Sequence, residues 1–241
     1  MCCARAYAAA KKWKFAGLDF KPMTTTLLLI RHGQTDWNAA GRWQGHTDIP
    51  LNEIGLAQAQ ALANRLQSWP IQAIYCSDLK RAAATAQAIS LTTGAPVIAD
   101  PRWRERYAGR LEGLTREQIQ EQLPDVWAVL SQGQAEAPEG ETYLALRERV
   151  AAAYHDLVKE HPNQMIAIIS HGGTLHNFIS YIMGIPPHQS IPFSLRGNTG
   201  LSVVQTGEHR AYVLLLNDTS HLEHDARLGS VFHAVMNNKS S

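Results

Sequence analysis

The feature that most constrains the fold is a short apolar run that stops abruptly at polar and flexible residues. Leu27 to Ile30 are apolar, and Arg31, His32 and Gly33 follow at once. A run of this kind predicts a buried β-strand, and ligand crevices in open α/β sheets form beyond the carboxyl ends of the strands. A cation beside an imidazole at such a strand end predicts an anion site with a nucleophile.

A second apolar run ends in the same way. Met165 to Ile169 predict a strand buried on both faces, and Ser170, His171, Gly172 and Gly173 follow it. A helix is predicted directly afterwards, from about residue 175 to residue 183. The N-terminus of a helix offers backbone N–H groups and a positive dipole end to an anion. The two strand ends therefore predict the two halves of one anion site.

The rest of the chain alternates between strand and helix patterns, which predicts an α/β fold with one core. Asn52 is predicted to cap a helix of about four turns, Ser77 to cap a helix that runs to Ile89, and Thr115 with Gln118 to form a capping box for a helix disturbed or restarted at Pro124. A long helix is predicted over about 141–160. Further strands are predicted at 71–76 and 96–99, and a closing hairpin at 201–205 and 212–216.

Length and charge exclude several classes of function. The 241 residues suit one sizeable domain, and 22 Lys and Arg against 21 Asp and Glu leave a net charge of +1. Such a balance gives no global field for nucleic acid or an anionic membrane, so we expect neither partner and expect any anion binding to be local. No apolar run is long enough to span a membrane. Three cysteines with poor spacing give no disulfide framework, so we expect a cytoplasmic protein.

Residues 1–22 differ in composition from the rest of the chain, being rich in alanine and basic residues with Asp19 as the single acid. An organelle transit peptide fits this composition better than a secretory signal does. We favour a disordered extension or an upstream start codon, because Met23 directly precedes the first strand. The predicted domain is therefore 23–241.

Two further residues are ambiguous when taken alone. Arg81 falls in the first turn of a predicted helix, where a basic side chain opposes the helix dipole, although a solvated surface arginine is equally compatible with the sequence. Glu105 lies among Arg102, Arg104 and Arg106 and looks like part of a solvated charge cluster. Neither residue is decisive without the others.

As an ordered set on strand ends, these motifs resemble the histidine phosphatase superfamily in its phosphoglycerate mutase-like branch. The similarity covers roughly residues 24–222. It rests on Arg31-His32-Gly33, Arg81 after Ser77-Asp78-Leu79, Glu105 before Gly109 and Glu112-Gly113, and Ser170-His171-Gly172-Gly173. The resemblance implies a single α/β domain with a central, mostly parallel mixed sheet flanked by helices on both faces. It also implies phosphoryl transfer through a phosphohistidine.

The resemblance also implies a role for each site residue. His32 would be the nucleophile, and Glu105 would be the proton donor to the leaving alcohol and then the base that activates water. The phosphoryl oxygens would be held by Arg31, Arg81 and His171, together with Gly172, and the pocket would be shaped by Asn38 and the Gln44-Gly45 turn.

These roles are physically consistent. A histidine must be neutral to attack phosphorus, and neighbouring guanidinium groups disfavour its protonated form. The same cations stabilise the charge that spreads over the equatorial oxygens in the transition state, as magnesium does in kinases. We therefore expect no metal and no cofactor. A zinc site is disfavoured because His171 and His176 are five residues apart and no third ligand accompanies them.

Three functions compete at this point. Mutases of this family carry a longer, basic insertion after the glutamate segment, whereas Gln118 to Gly140 contain four acids and no lysine or arginine. This favours a phosphomonoesterase acting on a small phosphorylated metabolite of the sugar phosphate, phosphoglycerate or phosphoserine type. The segment Glu105 to Leu114 is intermediate in sequence between those of the phosphatases and the mutases of this family. A phosphoglycerate mutase therefore remains an alternative function. A non-catalytic binding module is the remoter alternative. Such a module would usually have lost the nucleophile or the acid, and this chain has both.

The sequence leaves specificity and assembly open. Specificity is expected to reside in loop residues around Trp43, Tyr107 and Gly140, and a homodimer is compatible with the chain.

Overall fold

The strands and helices alternate along the chain and build one mixed sheet covered on both faces. The computed structural model describes residues 24–130, 136–187, 193–195, 197–207 and 210–229. Within these ranges the strands are β1 Thr25–Arg31, β2 Ile71–Cys76, β3 Val97–Ala99, β4 Met165–Ser170, β5 Leu201–Thr206 and β6 Ala211–Asp218. The helices are α1 Asp36–Ala39, α2 Glu53–Leu66, α3 Lys80–Thr93, α4 Arg116–Gln122, α5 Pro124–Leu130, α6 Tyr143–Glu160 and α7 Gly172–Ile182.

The sheet order brings the two motif-bearing strands together. The strands lie in the order β3-β2-β4-β1-β5-β6, with β1, β2, β3 and β4 parallel and β5 and β6 antiparallel at one edge. Arg31 at the end of β1 pairs with Ser170 at the end of β4. His32 and His171 therefore leave the sheet side by side, and the predicted mixed sheet is confirmed.

Each face of the sheet has its own apolar core. Because side chains alternate along β1, Leu28 and Ile30 pack with Leu62 and Ile89 from α2 and α3, and Leu27 and Leu29 face the opposite side. There they pack with residues of α6 and α7 that include Leu146, Val150 and Phe178. Helices on both faces hold the central strands rigidly, and the carboxyl edge of the sheet is left for the loops. None of the helices in the described ranges is long and apolar enough to cross a bilayer.

Three helix predictions are refined. Pro124 does restart the helix, since α4 ends at Gln122 and α5 begins at Pro124. Ser77 does not cap α3: Leu79 occupies the N-cap position, and the Ser77 hydroxyl accepts the Leu79 N–H instead. Helix α7 begins at Gly172, three residues earlier than predicted, because the glycines after His171 adopt helical geometry. The predictions for residues 1–22 and for the stretch 131–135 lie outside the described residues.

The loop after β1 packs on α2 through two glycines. A Cβ added to Gly33 would lie 2.5 Å from the Gly55 carbonyl oxygen, and one added to Gly55 would lie 2.0 Å from the Gln34 carbonyl oxygen. Both neighbours are backbone atoms, which cannot rotate away. The loop that carries His32 is thus seated directly on the first turn of α2.

This contact predicts that Gly55→Ala destabilises the protein. Alanine normally stabilises a helix over glycine by about 1 kcal/mol, but the backbone clash at this position should give a net loss of about 1–3 kcal/mol in the free energy of unfolding by urea. Ala57→Gly on the exposed face of the same helix is the matched control, with an expected loss of about 1 kcal/mol. A Gly55→Ala protein as stable as the parent would contradict the packing.

Candidate active site

A cavity of about 1080 Å³ opens at the carboxyl edge of the sheet. All the residues predicted for the site line it: Arg31, His32, Asn38, Gln44, Gly45, Arg81, Glu105, His171 and Gly172. The structure thus brings together side chains that are up to 141 positions apart, from Arg31 to Gly172. Among the described residues no group of three or more His, Cys, Asp or Glu side chains is arranged to hold a metal ion.

His32 presents one ring nitrogen to the cavity. The imidazole is 3% exposed, and its Nδ1 lies 2.7 Å from the Gly33 carbonyl oxygen. A carbonyl only accepts, so we assign the proton to Nδ1. Nε2 then carries the lone pair, which is the form required of a nucleophile.

His171 has the opposite tautomer. Its Nδ1 accepts the Nε–H of Arg81 at 3.2 Å, so its own proton is on Nε2. This Nε2 is buried and has no hydrogen-bond partner among the described residues. The two imidazole centroids are 5.0 Å apart with the rings inclined at 61°. A ring with an unpartnered N–H therefore lies next to a ring with a free lone pair.

Arg81 is the buried cation behind both rings. Its side chain is fully buried, and it donates to the Thr47 and Gly45 carbonyl oxygens at 2.8 Å each as well as to His171. A guanidinium has five N–H groups, so two remain for a ligand. Burial lowers the pKa of Arg81 to about 10, which leaves it a cation at neutral pH.

Burial and the adjacent cations keep both imidazoles neutral. Desolvation, followed by the charges of Arg81 and Arg31, holds the pKa of His32 well below its usual value. The pKa of His171 is lowered well below its usual value by burial first and then by Arg81. The expected neutral nucleophile is thus produced mainly by burial, with the guanidinium charges second.

Glu105 occupies the N-terminus of α7. Its carboxyl group accepts the Gly173 and Thr174 backbone N–H groups at 3.0 Å each, the Thr174 hydroxyl at 3.1 Å and the Arg106 backbone N–H at 2.8 Å. The helix N-terminus that the sequence predicted for an anion is therefore partly used to hold this carboxyl group. A Cβ on Gly173 would lie 2.6 Å from Glu105 Oε1, so this approach requires glycine.

The remaining predicted residues shape the wall. Asn38 closes a capping box for α1 through Thr35, and its Oδ1 also accepts from Asn198. Gln44 carries a buried Oε1 without a hydrogen-bond partner among the described residues. Gly45 has a φ of +51°, and a Cβ there would meet the Glu112 carboxylate at 1.9 Å. Its carbonyl fixes Arg81.

Sequence reasoning missed a loop that supports the nucleophile. The Thr199 N–H donates to the Arg31 carbonyl oxygen at 3.0 Å, and the Asn198 side chain donates to the His32 carbonyl oxygen at 3.0 Å. Thr199 has a φ of +53°, so its backbone is held in an uncommon conformation. The turn-like composition of residues 197–200 is the only signal in the sequence.

The cavity also continues past the phosphate end. Its far part includes Tyr143, Arg147, His176 and Asn177, none of which was among the predicted site residues. The two that lie on α7, His176 and Asn177, could have been found by helical spacing. Asn177 is four residues after Gly173, so the two residues share one face of the helix. Trp43 lines the cavity as expected for a specificity residue, whereas Tyr107 and Gly140 lie outside its lining.

We predict that His32 and His171 remain neutral at pH 5.5. Histidines in the unfolded chain have a pKa of about 6.5. Between this pH and the lower native pKa values, the two rings bind protons only in the unfolded chain, so lowering the pH favours unfolding. Each imidazole should contribute a loss of up to about 1.4 kcal/mol per pH unit as the pH falls below about 6.5 toward its native pKa. Imidazole ¹⁵N shifts should report Nδ1–H for His32 and Nε2–H for His171, and a charged form for both in urea. An imidazolium signal from either ring in the native protein would refute the assignment.

Comparisons with known proteins identify the family of the chain. The family model of the histidine phosphatase superfamily (branch 1) matches residues 27–219. The chain is 36% identical over 204 residues to a metal-independent phosphoserine phosphatase of Arabidopsis thaliana, covering 82% of this chain and 83% of that protein. It is 32% identical over 212 residues to phosphoglycerate mutase-like protein 4 of the same plant, covering 86% and 90%. The structure of Bacillus stearothermophilus YhfR superposes with a TM-score of 0.76 at 30% identity, covering 83% of this chain and 100% of that one. The chain is a member of the histidine phosphatase superfamily.

Proposed function

We propose that this protein is a phosphomonoesterase that hydrolyses small phosphorylated metabolites through a phosphohistidine at His32. The observation that carries the proposal is the pair of buried imidazoles of His32 and His171, whose ring centroids are 5.0 Å apart and whose hydrogen bonds assign them opposite tautomers, a free lone pair on one and an unpartnered N–H on the other. A phosphoryl group placed between them can be attacked at phosphorus and hydrogen-bonded at oxygen at the same time. Membership of a phosphatase superfamily supports the same reaction.

The first half-reaction transfers the phosphoryl group to the enzyme. His32 Nε2 forms a bond to phosphorus while the ester P–O bond breaks, and Glu105, which enters this step as the carboxylic acid, gives its proton to the departing alkoxide oxygen and becomes a carboxylate. Arg31, Arg81 and His171 bind the equatorial oxygens, where charge accumulates in the transition state. The Gly33 carbonyl oxygen, which accepts the hydrogen bond from His32 Nδ1–H, stabilises the positive charge that the ring acquires.

The second half-reaction returns the enzyme to its starting state. Glu105, now a carboxylate, takes a proton from a water molecule as the water oxygen bonds to phosphorus and the N–P bond breaks. Inorganic phosphate leaves, the His32 lone pair is restored, and Glu105 is protonated again. Arg81 supplies a fixed positive charge in both steps because its contacts to Thr47 and Gly45 do not involve the substrate.

Hydrolysis is favoured over mutase chemistry by the segment after Glu105. A mutase must keep water away from the phosphohistidine, and the acidic stretch 118–140 provides no basic lid for that purpose. Within it, α4 and α5 pack through Ile119, Leu123 and Trp127 on their own small apolar cluster, which includes Trp43 at the cavity wall. Phosphoglycerate mutase remains the second candidate because several relatives are named as probable phosphoglycerate mutases or as mutase-like.

The deciding experiment measures phosphate release from a panel of phosphomonoesters in the presence of EDTA. We expect release from sugar phosphates, phosphoglycerate or phosphoserine, with no dependence on a metal, and incorporation of one ¹⁸O atom per phosphate from labelled water. His32→Ala should lower kcat by at least about 10³-fold. Conversion of 3-phosphoglycerate into its 2-isomer without free phosphate would establish the mutase instead, and binding without turnover would establish a non-catalytic module.

The position of Glu105 predicts a defect in Gly173→Ala. The added methyl group would displace the carboxyl group, so we expect kcat/KM, which reports phosphoryl transfer to His32, to fall about 10²–10³-fold for an alkyl phosphate, whose leaving group needs a proton. With p-nitrophenyl phosphate, whose leaving group needs little protonation, the loss should be much smaller. Gly207→Ala, whose added Cβ meets only ordinary contacts at 3.6 Å, is the control. Equal losses on the two substrates would argue against Glu105 as the acid.

We also propose the domain boundary and the assembly state. Residues 23–241 would form the phosphatase domain, with residues 1–22 dispensable for catalysis, and the protein would act as a homodimer on small-molecule substrates. The family match over 27–219 is compatible with this boundary. The substrate panel is therefore best run on both the full chain and residues 23–241.

A further inference from the structure

The cavity is much longer than the phosphate end requires. Gly173, His176, Asn177 and Ser180 line it from one face of α7, and they recur every three or four residues. From Gly172 to Ser180 the helix rises roughly 12 Å at 1.5 Å per residue. A three-carbon phosphate ester bound at His32 would leave the far half of this cavity to solvent.

Asn177 places an unsatisfied acceptor in the far half. The side chain is 4% exposed, and its Nδ2 donates to the Tyr143 carbonyl oxygen at 3.2 Å. Its Oδ1 is buried without a hydrogen-bond partner among the described residues. Buried polar atoms are nearly always hydrogen-bonded, so this oxygen is oriented for an N–H or O–H group of a ligand.

Arg147 places a cation one turn of α6 beyond Tyr143. Its Nη1 donates to the Ile185 carbonyl oxygen at 2.6 Å, which fixes the guanidinium. Its Nε is buried without a hydrogen-bond partner, and none of the described carboxylates forms an ion pair with it. Burial lowers its pKa and Tyr181 opposes the shift, and a guanidinium stays charged at neutral pH. A partly desolvated cation without a counterion favours an anionic ligand.

We infer that Arg147 and Asn177 form a second subsite, which binds an acidic group at the far end of the leaving alcohol. The inference rests on the proposed phosphatase function and specifies its substrates. These are phosphomonoesters with a carboxylate or a second phosphate roughly 10–15 Å from the scissile phosphorus, because Arg147 is fixed on the Ile185 carbonyl just beyond the end of α7, a helix that rises roughly 15 Å. A hydroxyl or amino group between the two ends donates to Asn177 Oδ1. Simple three-carbon phosphates fill only half of the cavity and are poorer substrates.

The test uses phosphoryloxy carboxylates of increasing chain length, each matched to an alkyl phosphate of the same length. For the parent protein kcat/KM should rise with chain length in the carboxylate series and exceed that of the alkyl phosphate by about 10- to 100-fold at the length that reaches Arg147. A parallel series of α,ω-bisphosphates tells whether the preferred terminal group is carboxylate or phosphate. Equal kcat/KM values for acid and alkyl partners at every length would overturn the inference.

Variants identify the cation. Arg147→Gln should remove the advantage of the acidic substrates and leave alkyl phosphates unchanged, whereas Arg147→Lys should keep part of it. Arg110→Gln, which removes the same charge from an exposed position outside the cavity lining, should behave like the parent. Equal losses on both substrate series in Arg147→Gln would indicate a structural role and reject the subsite. If Arg147→Gln does not fold, the chain-length profile of the parent protein decides.

The two hypotheses fail separately. If no phosphomonoester of either series is hydrolysed in a manner that depends on His32, the proposed function is wrong. If alkyl phosphates are hydrolysed but a distal acid gives no advantage, only the second subsite is wrong.

Discussion

The hydrogen bond from Arg81 Nε to His171 Nδ1 is the contact on which the chemistry of this fold depends. It fixes the His171 tautomer, so that the only proton on that ring points into the cavity. The same buried guanidinium helps to keep His32 unprotonated. Burying a cation is costly unless its N–H groups are satisfied, and the carbonyl oxygens of Thr47 and Gly45 meet that requirement. The loop between α1 and α2 is therefore part of the electrostatics of the site as well as its wall.

Much of this arrangement could be predicted because it is local. The apolar runs before Arg31 and Ser170 define two strands, and parallel strands end at the same edge, so the meeting of His32 and His171 follows from sequence and topology. Pro124 restarts a helix for the equally local reason that proline cannot continue one. Together with Arg81, these motifs in their order along the chain were sufficient to identify the family.

The rest depends on contacts that no local pattern encodes. Glu105 looked like one charge in a solvated cluster, yet 68 positions along the chain the first turn of α7 supplies the N–H groups that hold it. Arg147 and Asn177 also lack a motif: their place in the cavity depends on how α6 packs against α7. Asn198 and Thr199 act through backbone groups of β1, and such bonds leave little trace in residue type.

The attachment of Glu105 to α7 has a mechanical consequence. His171 immediately precedes that helix and the Glu105 carboxyl group is hydrogen-bonded to its first turn, so one helix N-terminus sets the spacing between the imidazole and the carboxyl group. Loops that fold over a bound molecule can then vary in length and composition without disturbing the acid, which gives one reaction centre access to many different substrates.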